Sequence, residues 1–438
     1  MSFLLLSKRM PTRCIPLART LVTSRPPKVF TPGRFGIAFD IDGVLLRGLD
    51  PHPSAKTALT KLQENDIPFI LLTNGGGISE VARCEDLSSR LDFPIAPSQL
   101  VQSHTPAKNY TKFYETILVV GGEGENCRKI AEEYGFKNVF IPDDFYATDP
   151  HISPFSTSPP PAYARNVPKG TKIDAIFVFN DPRDWALSTQ VIIDFLRSDN
   201  GVYGTLAEPG HMKPVPTFFT NSDIVWASTY HMPRLGQGAF KEAVLSIFPR
   251  IPGATGGAHL RSLGKPTTPA FRYAQRLLEQ NLVAKLKATS PEFRVYMIGD
   301  SPDSDIRGAN RARINGTVWW SILVRSGVWR EPYHAKSPIA IVDDVLAAVD
   351  WAMENEQKIK DGVALEKYPS NLRPGFRQLR RKGLVRGSSP DSGGKVEVGD
   401  IGGEESARLE KTDGAMKEKG DGALEGKRAN GESGSHSD

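Results

Sequence analysis

The chain has 438 residues, enough for two ordinary domains or for one domain with a large insertion. Its 39% hydrophobic and 24% charged residues are typical of a soluble globular protein, and its longest apolar runs are too short to cross a bilayer. The formal net charge of +5 comes from the amino-terminal end, so it indicates no basic surface for nucleic acid.

Residues 1–34 have the composition of a targeting segment. They hold several Lys, Arg, Ser, Thr and Leu residues and no acidic residue. This composition is typical of a mitochondrial transit peptide. A secretory signal is a weaker interpretation, because the apolar stretch 3–6 is short and precedes the first basic residue. A disordered basic arm with no targeting function is a further alternative. The sequence predicts import into the mitochondrial matrix and removal of this leader before the first strand.

The chain contains few cysteines. The three cysteines, Cys14, Cys84 and Cys127, include no Cys-x-x-Cys pair. The sequence therefore predicts neither a disulfide framework nor a zinc site.

Short apolar runs that alternate with helical patterns predict a parallel α/β sheet. Four such runs end at or next to polar motifs: Phe35–Asp40, Phe69–Thr73, Arg294–Ile298 and Trp319–Val324. A helix with Ala55, Ala58, Leu59 and Leu62 on one face precedes the second run. Another helix is predicted from about residue 302 to residue 313.

The stretch between the second and third runs has α/β signals of its own. Predicted strands at Thr116–Val120, Ala175–Phe179 and Phe218–Thr220 alternate with helices near 125–134 and 184–196. Such a stretch is too rich in structure to be a loop, so an inserted cap domain is predicted at 102–235. Within it, the Pro- and Ser-rich residues 148–169 are predicted to form a surface excursion. The core then consists of 35–101 and 236–376.

The carboxyl-terminal segment, 377–438, has no aromatic residue, and from about residue 388 it is a mixture of Gly, Glu, Lys, Ser and Asp. Such a composition cannot bury enough apolar surface to order itself, so a disordered polar tail is predicted.

The first chemical motif is Asp40-Ile41-Asp42-Gly43, at the carboxyl end of the first predicted strand. Ligands bind at that edge of an open parallel sheet. Two carboxylates at one strand tip repel each other unless a cation lies between them, and a divalent metal removes that cost. One carboxylate can then attack phosphorus while the other transfers protons. An ordinary acidic turn after a strand is the alternative.

Three further motifs lie at corresponding places in the chain. Thr73-Asn74-Gly75-Gly76-Gly77 follows the second strand and offers donors for a phosphoryl oxygen. Gly264-Lys265-Pro266 opens a helix, and its lysine can offset the charge of a phosphate. Gly299-Asp300 ends the third strand, with Asp305 one helical turn on; Asp300 is suited to bind magnesium. Each motif alone also has an ordinary structural interpretation.

The four motifs in this order resemble those of the haloacid-dehalogenase superfamily. The pairing of DIDGVL with LLTN resembles its class IIA branch, which includes NagD-like and 4-nitrophenyl-phosphatase-like proteins. FDIDGVLLRG, LLTNGGG, TNSDIVW, RLGQGAF and GKPTTPAF are most similar to the cat-eye-syndrome-critical-region-protein-like subgroup, several of whose members look mitochondrial. The resemblance covers about residues 35–351 and implies a Rossmann-like core with an inserted α/β cap.

The resemblance also implies roles for the first two motifs. Asp40 would be the nucleophile and a ligand of Mg²⁺. Asp42 would be the general acid and base, and its backbone carbonyl would also bind the metal. Thr73 would hydrogen-bond the phosphoryl oxygen, with Asn74 and Gly75 completing the phosphate site. An acidic residue two positions after the nucleophile resembles the phosphatases of the superfamily and departs from its dehalogenases.

For the remaining motifs, the resemblance implies that Lys265 binds phosphate and stabilises an aspartyl-phosphate. Asp300 would complete the metal site, with Asp305 supporting it. Asn221 and Asp223 match a recurring pattern of the family to which no role is assigned. The implied function is a Mg²⁺-dependent phosphatase that acts on a phosphorylated small molecule, and such caps often form homodimers. A phosphotransferase or phosphomutase, or a non-catalytic interaction protein of this fold, remains an alternative.

Overall fold

In the computed structural model of the chain, the described residues are 35–362 except 209, 227–229, 255–259, 287–292 and 332–335, and only the backbone is described for 282–286. The predicted leader (1–34) and tail (377–438) lie outside these residues. Among the described helices, none has the combination of length and hydropathy that crossing a bilayer requires.

The strands, in chain order, are β1 Phe35–Phe39, β2 Leu46–Arg47, β3 Asp50–Pro51, β4 Phe69–Leu72, β5 Leu100–Val101, β6 Thr116–Val120, β7 Asn138–Phe140, β8 Ala175–Val178, β9 Thr217–Phe219, β10 Val225–Trp226, β11 Arg234–Leu235, β12 Leu260–Ser262, β13 Arg294–Gly299, β14 Arg313–Ile314, β15 Thr317–Val324 and β16 Ala340–Val342. The α-helices are α1 Ala55–Glu64, α2 Glu80–Leu91, α3 Asn126–Tyr134, α4 Pro142–Thr148, α5 Trp185–Arg197, α6 Gln237–Ile247, α7 Thr268–Leu286, α8 Arg307–Arg311 and α9 Val345–Lys360. Short helical turns lie at Pro97–Gln99, Thr105–Tyr110, Pro150–Ile152, Phe248–Arg250 and Pro302–Ile306.

The core sheet has the order β14-β15-β13-β1-β4-β5, and β16 also pairs with β15. All of its pairs are parallel except β14 with β15. Its central strand β1 reads FGIAF and is buried along its whole length, as a strand covered on both faces must be. The predicted parallel α/β core with a Rossmann-like sheet is therefore confirmed.

Helices cover both faces of the core sheet. The predicted apolar stripe of α1 packs with residues of α9 in one buried cluster under the odd-numbered side chains of β1. On the other face, α7 and α8 contribute Ala270, Phe271, Ala274, Leu278 and Ala309 to a second cluster. This arrangement leaves the carboxyl ends of β1, β4 and β13 at one edge, where the predicted motifs begin.

A second, five-stranded parallel sheet forms the inserted unit, with the order β12-β9-β8-β6-β7. Helix α6 packs in this unit, because Phe240 and Val244 belong to the buried cluster around β8 and α5. We propose that the cap continues beyond the boundary predicted at residue 235 and includes both α6 and the edge strand β12. We place the end of this cap after Leu263, which is buried against the other face of the cap sheet.

The Pro-rich excursion of residues 148–169 is fixed at both ends. Asp144 and Arg128 form a fully buried ion pair at 3.1 Å. Asp144 also accepts hydrogen bonds from the backbone N–H groups of Ile141 and Arg165, so one carboxylate joins the two sides of the excursion. Between them, Phe155 is 96% exposed, as expected for a surface segment.

Candidate active site

The first motif leaves β1 at the middle of the core sheet. The backbone N–H of Asp40 donates to the Ile298 carbonyl at 2.9 Å, and Oδ1 of Asp40 accepts from the Ile41 N–H at 2.9 Å. Gly43 has a φ of +86°, and a Cβ there would lie 2.3 Å from Asp300 Oδ2, so only glycine fits this turn. The turn thus brings the first motif against the fourth.

Three buried carboxylates lie close together, and two of them contact one buried lysine. Lys265 Nζ lies 2.8 Å from Asp40 Oδ1 and 2.7 Å from Asp305 Oδ1. Carboxylate oxygens of Asp40, Asp300 and Asp305 all lie within 4.8 Å of one another. Each of the four residues is at most 8% exposed. When all of them are ionised, the lysine neutralises only one of the three negative charges.

The pKa values of these groups reflect this excess of negative charge. Burial alone would lower the pKa of Lys265, but the charges of Asp305 and Asp40 outweigh it and raise that pKa. Burial, followed by the charges of Asp40 and Asp305, raises the pKa of Asp300 well above its ordinary value. Burial and the charge of Asp40 also raise the pKa of Asp305, although Lys265 opposes them. A divalent cation among the carboxylates would relieve this repulsion.

The donor set fits Mg²⁺, which prefers a few carboxylate oxygens together with water and phosphate oxygens. Both oxygens of Asp305 are engaged, Oδ1 with Lys265 and Oδ2 with the Ser301 N–H at 3.1 Å. This suits the supporting role expected of Asp305 and leaves Asp40 and Asp300 as the side chains to hold the ion. The metal role expected of Asp42 concerns its backbone carbonyl, and its carboxylate is not in the cluster.

Thr73 and Asp42, the two other residues with a predicted catalytic role, both lie close to Gly75. A Cβ on Gly75 would be 3.3 Å from Thr73 Oγ1 and 3.9 Å from Asp42 Oδ2, and the Gly75 N–H donates to Thr73 Oγ1 at 2.9 Å. The residue Asp42 is exposed to solvent when all of its atoms are considered, but its carboxyl group is largely surrounded by protein atoms. This desolvation, and then the charge of Asp40, raises the pKa of Asp42. A raised pKa suits a group that donates a proton near neutral pH.

Asn74 connects the second motif, the third motif and the linker that leaves β9. Its Oδ1 accepts from the Lys265 N–H at 2.8 Å, and its Nδ2 donates to the Lys265 carbonyl and to Asp223 Oδ2, each at 3.1 Å. The side-chain amide is therefore fully engaged with protein. Phosphate binding by Asn74 stays a prediction, which concerns its backbone N–H, because its side chain is hydrogen-bonded to the backbone of Lys265.

Two features of the site were missed in the sequence. The loop after β15 contacts Asp300, whose Oδ2 accepts from the Val328 N–H at 2.6 Å, and a Cβ on Gly327 would lie 1.9 Å from that same oxygen. The other feature is the contact of Asp223 with Asn74. In the sequence, the available signal for the loop was Gly327, which lies shortly after the fourth predicted strand. The signal for Asp223 was its spacing from Asn221 in the pattern Asn-x-Asp.

Comparison with known proteins agrees with this geometry. A domain family described as haloacid dehalogenase-like hydrolase matches residues 37–137, and a second, described as HAD-hydrolase-like, matches residues 262–348. The matches contain all four predicted motifs, and the gap between them falls within the inserted unit.

Relatives and a solved structure extend the comparison. A mitochondrial hydrolase of Saccharomyces cerevisiae is 40% identical over 349 residues, which are 74% of this chain and 97% of the relative. A cardiolipin synthase (CMP-forming) / mitochondrial hydrolase fusion protein of Schizosaccharomyces pombe is 37% identical over 72% of this chain, which spans about half (52%) of that relative. The structure of p-nitrophenyl phosphatase from Archaeoglobus fulgidus has a similar fold, with a TM-score of 0.51, 16% identity, and coverage of 73% of this chain and 100% of that one.

The fold and the site define an α/β enzyme whose carboxylate cluster lies at the edge of a parallel core sheet, beside an inserted α/β unit. The chain belongs to the haloacid dehalogenase-like hydrolase family.

Proposed function

We propose that this protein is a Mg²⁺-dependent phosphatase that hydrolyses a phosphomonoester through an aspartyl-phosphate on Asp40. The observation that carries the proposal is the cluster of Asp40, Asp300 and Asp305 at the edge of the core sheet, in which Asp40 and Asp305 both contact Lys265. Phosphoryl transfer depends on positioning and on cancelling charge, and this cluster supplies both.

In the first step a carboxylate oxygen of Asp40 attacks phosphorus, and the bond to the leaving oxygen breaks. Asp42 donates its proton to that oxygen, which its raised pKa favours. Lys265 and the Ile41 N–H hold Oδ1 of Asp40, so the nucleophile is fixed before substrate arrives. Thr73 and the backbone of residues 74–75 lie beside Asp42, where they can bind phosphoryl oxygens.

In the second step Asp42, now ionised, takes a proton from water as the water attacks phosphorus and releases Asp40. Mg²⁺ held by Asp40 and Asp300, with the Asp42 carbonyl, would supply charge stabilisation for the phosphoryl oxygens. The covalent step divides one difficult hydrolysis into two easier displacements. The cap would exclude bulk water during the first displacement.

Turnover of a soluble phosphomonoester, p-nitrophenyl phosphate, tests this proposal. Asp40→Asn keeps the shape of the side chain and removes the attacking charge, so activity should fall by at least about a thousandfold. Asp303→Asn is the matched control: Asp303 is an exposed acid on the loop that carries Asp300, and its loss should change activity little. Removal of metal with a chelator should abolish turnover, and Mg²⁺ should restore it. An Asp40→Asn protein that kept near-full metal-dependent activity would refute the mechanism.

We also propose that the protein functions in mitochondria on a phosphorylated metabolite. The acid-free leader and the names of the two yeast relatives, both of which include a mitochondrial hydrolase, support this location. The S. pombe relative joins a hydrolase of this family to an enzyme of phospholipid synthesis in one chain. Phosphomonoesters attached to lipids therefore belong among the substrates to be assayed.

A further inference from the structure

Residues 73–77, here called the glycine loop, are enclosed between the core and the cap. On one side, the segment that leads from β5 into the cap contacts the loop. The Ser103 N–H donates to the Gly75 carbonyl at 3.1 Å. A Cβ on Gly76 would lie 2.6 Å from His104 Cδ2, so the same segment also fills the space beside the next residue of the loop. The conformation of the glycine loop is therefore set in part by its neighbours.

On the other side, the cap contributes Asn180, which lies two residues after the end of β8. Its Nδ2 donates to the Gly76 carbonyl at 3.0 Å, although the two residues are 104 positions apart in the chain. Gly77 has a φ of +91°, and a Cβ on it would lie 2.8 Å from Asn180 Cγ. A side chain of the cap therefore fixes the peptide group between Gly76 and Gly77.

The backbone of Asn180 is itself fixed by the cap sheet. Strands β6 and β8 are neighbours in that sheet, and a Cβ on Gly121, directly after β6, would lie 1.9 Å from the Asn180 carbonyl oxygen. The Gly122 N–H donates to the Asp181 carbonyl at 3.2 Å. Arg183 Nη1 donates to the same carbonyl at 2.7 Å. Because Asn180 is fixed by the cap, its hydrogen bond makes the conformation of the glycine loop depend on the cap.

The surroundings of the Asn180 amide specify its orientation. The Gly76 carbonyl only accepts hydrogen bonds, so it requires the NH₂ group of the amide. Arg183 Nη1 only donates, and it lies 3.5 Å from Asn180 Oδ1. Both neighbours therefore require the same arrangement of the amide. Since a peptide group is planar and trans, the direction of the Gly76 carbonyl also determines the direction of the Gly77 N–H.

The peptide group that Asn180 holds is next to the predicted phosphate site. Gly76 follows Gly75, whose N–H donates to Thr73 Oγ1 at 2.9 Å. This hydroxyl is the one predicted to bind a phosphoryl oxygen. A rotation of the Gly76 peptide would therefore alter the part of the glycine loop that faces the phosphoryl group.

We propose that Asn180 is a positioning residue for phosphate binding, so that the cap helps to hold the phosphoryl group as well as to cover it. Through the Gly76 carbonyl, Asn180 keeps the glycine loop in the conformation that binds phosphoryl oxygens. The inference rests on the phosphatase function proposed above. Lys265 is held separately, by hydrogen bonds of the Asn74 side chain. Loss of Asn180 should therefore weaken phosphate binding more than it slows the chemical step.

Steady-state kinetics with p-nitrophenyl phosphate and Mg²⁺, and with inorganic phosphate as a competitive inhibitor, test this inference. Asn180→Ala removes the hydrogen bond and adds no charge. Its KM and its inhibition constant for phosphate should both rise about fivefold to tenfold, and kcat should change by less than about threefold. Asn180→Asp keeps the shape of the side chain but places an oxygen opposite the Gly76 carbonyl, so both constants should rise further.

The matched controls are Asn138→Ala and Asn138→Asp. Asn138 is an exposed asparagine of the cap strand β7, and its Nδ2 donates to Thr116 Oγ1 at 3.1 Å. Each control makes the same chemical change in the cap as an Asn180 variant, and each should keep KM and the inhibition constant within about twofold of wild type. The melting temperature of every variant shows whether it is folded.

Unchanged KM and inhibition constants in the folded Asn180 variants would overturn the inference and leave the phosphatase function standing. A lower kcat and melting temperature with unchanged constants would also overturn it, because a purely structural residue changes only the fraction of active enzyme. Equal rises of both constants in the Asn138 variants would show a general effect of the cap and would contradict a specific role of Asn180. A wild-type chain that hydrolyses no p-nitrophenyl phosphate would refute the phosphatase function and this inference with it.

Discussion

Asp40 and Asp42 are separated by one residue and meet different surroundings. Asp40 is buried and held by Lys265 and the Ile41 N–H, whereas Asp42 is exposed and lies near Gly75. The pKa of Asp42 is raised by desolvation and by the charge of Asp40. Two carboxylates in different environments can serve as nucleophile and as proton donor at the same pH.

This difference predicts a selective defect for Asp42→Asn. The variant keeps the nucleophile, so an activated ester such as p-nitrophenyl phosphate should still phosphorylate Asp40, because a good leaving group needs little protonation. Release of phosphate should be slow, since no base activates water, and the phosphorylated enzyme should accumulate. Intact-protein mass spectrometry after rapid quenching measures this species. Equal accumulation in wild type, or none in the variant with normal turnover, would contradict the assignment of Asp42.

At the residue scale, the four motifs were predictable because each combines unusual residue types with the end of an apolar run. The contacts that hold these motifs in position were not predictable from the sequence. The two hydrogen bonds between Asn74 and the Lys265 backbone join residues 191 positions apart. The Val328 N–H that holds Asp300 is a backbone group, which any residue type except proline provides. Backbone donors have no signature in a single sequence, so such contacts follow from the fold alone.

At the scale of the elements, buried strands were predicted well, whereas the sequence has no clear signal for the end of the cap. Strand β1 and the stripe of α1 have the periodicities that burial requires, and both lie where the sequence placed them. In contrast, β12 is a three-residue edge strand with the sequence LRS, and none of its residues is fully buried. An amphipathic helix such as α6 can pack equally well on a core or on a cap. Whether such a helix packs on the core or on the cap depends on the chain topology. The hydrophobic pattern of a single helix does not reveal that topology.

A group of polar residues connects α2, α3 and the turn at Thr105–Tyr110. His104 is fully buried, and its Nδ1 lies 2.7 Å from Tyr134 Oη. Tyr134 Oη donates to Glu80 Oε1 at 2.6 Å, and Lys108 Nζ lies 2.9 Å from the same oxygen. Because the tyrosine proton goes to Glu80, Nδ1 of His104 must carry a hydrogen and donate it. Burial lowers the pKa of His104 to about 4.

This shift predicts that stability depends on pH. The unfolded chain binds a proton on His104 near pH 6.5, but the folded protein does so only near pH 4. The contribution of His104 to stability is therefore complete above pH 6.5 and is lost as the pH falls to 4. The loss should be on the order of 3 kcal/mol of unfolding free energy. Denaturant unfolding across this range measures it.

The control compares slopes rather than absolute stabilities. His104→Gln should flatten the dependence of unfolding free energy on pH, whatever it does to the value at neutral pH. His151→Gln, at a histidine whose side chain is 97% exposed, should leave the slope of wild type unchanged. Identical slopes in all three proteins would contradict the buried neutral state of His104.

At the scale of the whole molecule, the leader predicts a subcellular location, which can be measured separately from catalysis. Residues 1–34 fused to a fluorescent protein should reach mitochondria, because a basic, acid-free segment is what import recognises. Replacing its arginines with glutamine should leave the fusion in the cytosol. Diffuse fluorescence from the unchanged leader would contradict the prediction. The predicted homodimer likewise stays a prediction, which light scattering of the purified chain can test.

The return path of the chain from the cap has a consequence for the evolution of new specificities. Lys265 follows the cap strand β12 by three residues, and a Cβ on the intervening Gly264 would lie 1.9 Å from the Thr220 carbonyl after β9. A change of substrate by transplantation of a foreign cap therefore also replaces the strand that delivers the lysine to Asp40. Recombination within β12 would misplace this charge even if both parent caps fold. In viable chimeras, the junction between the transplanted cap and the second part of the core should therefore lie beyond Pro266. The cap and Lys265 then come from the same parent.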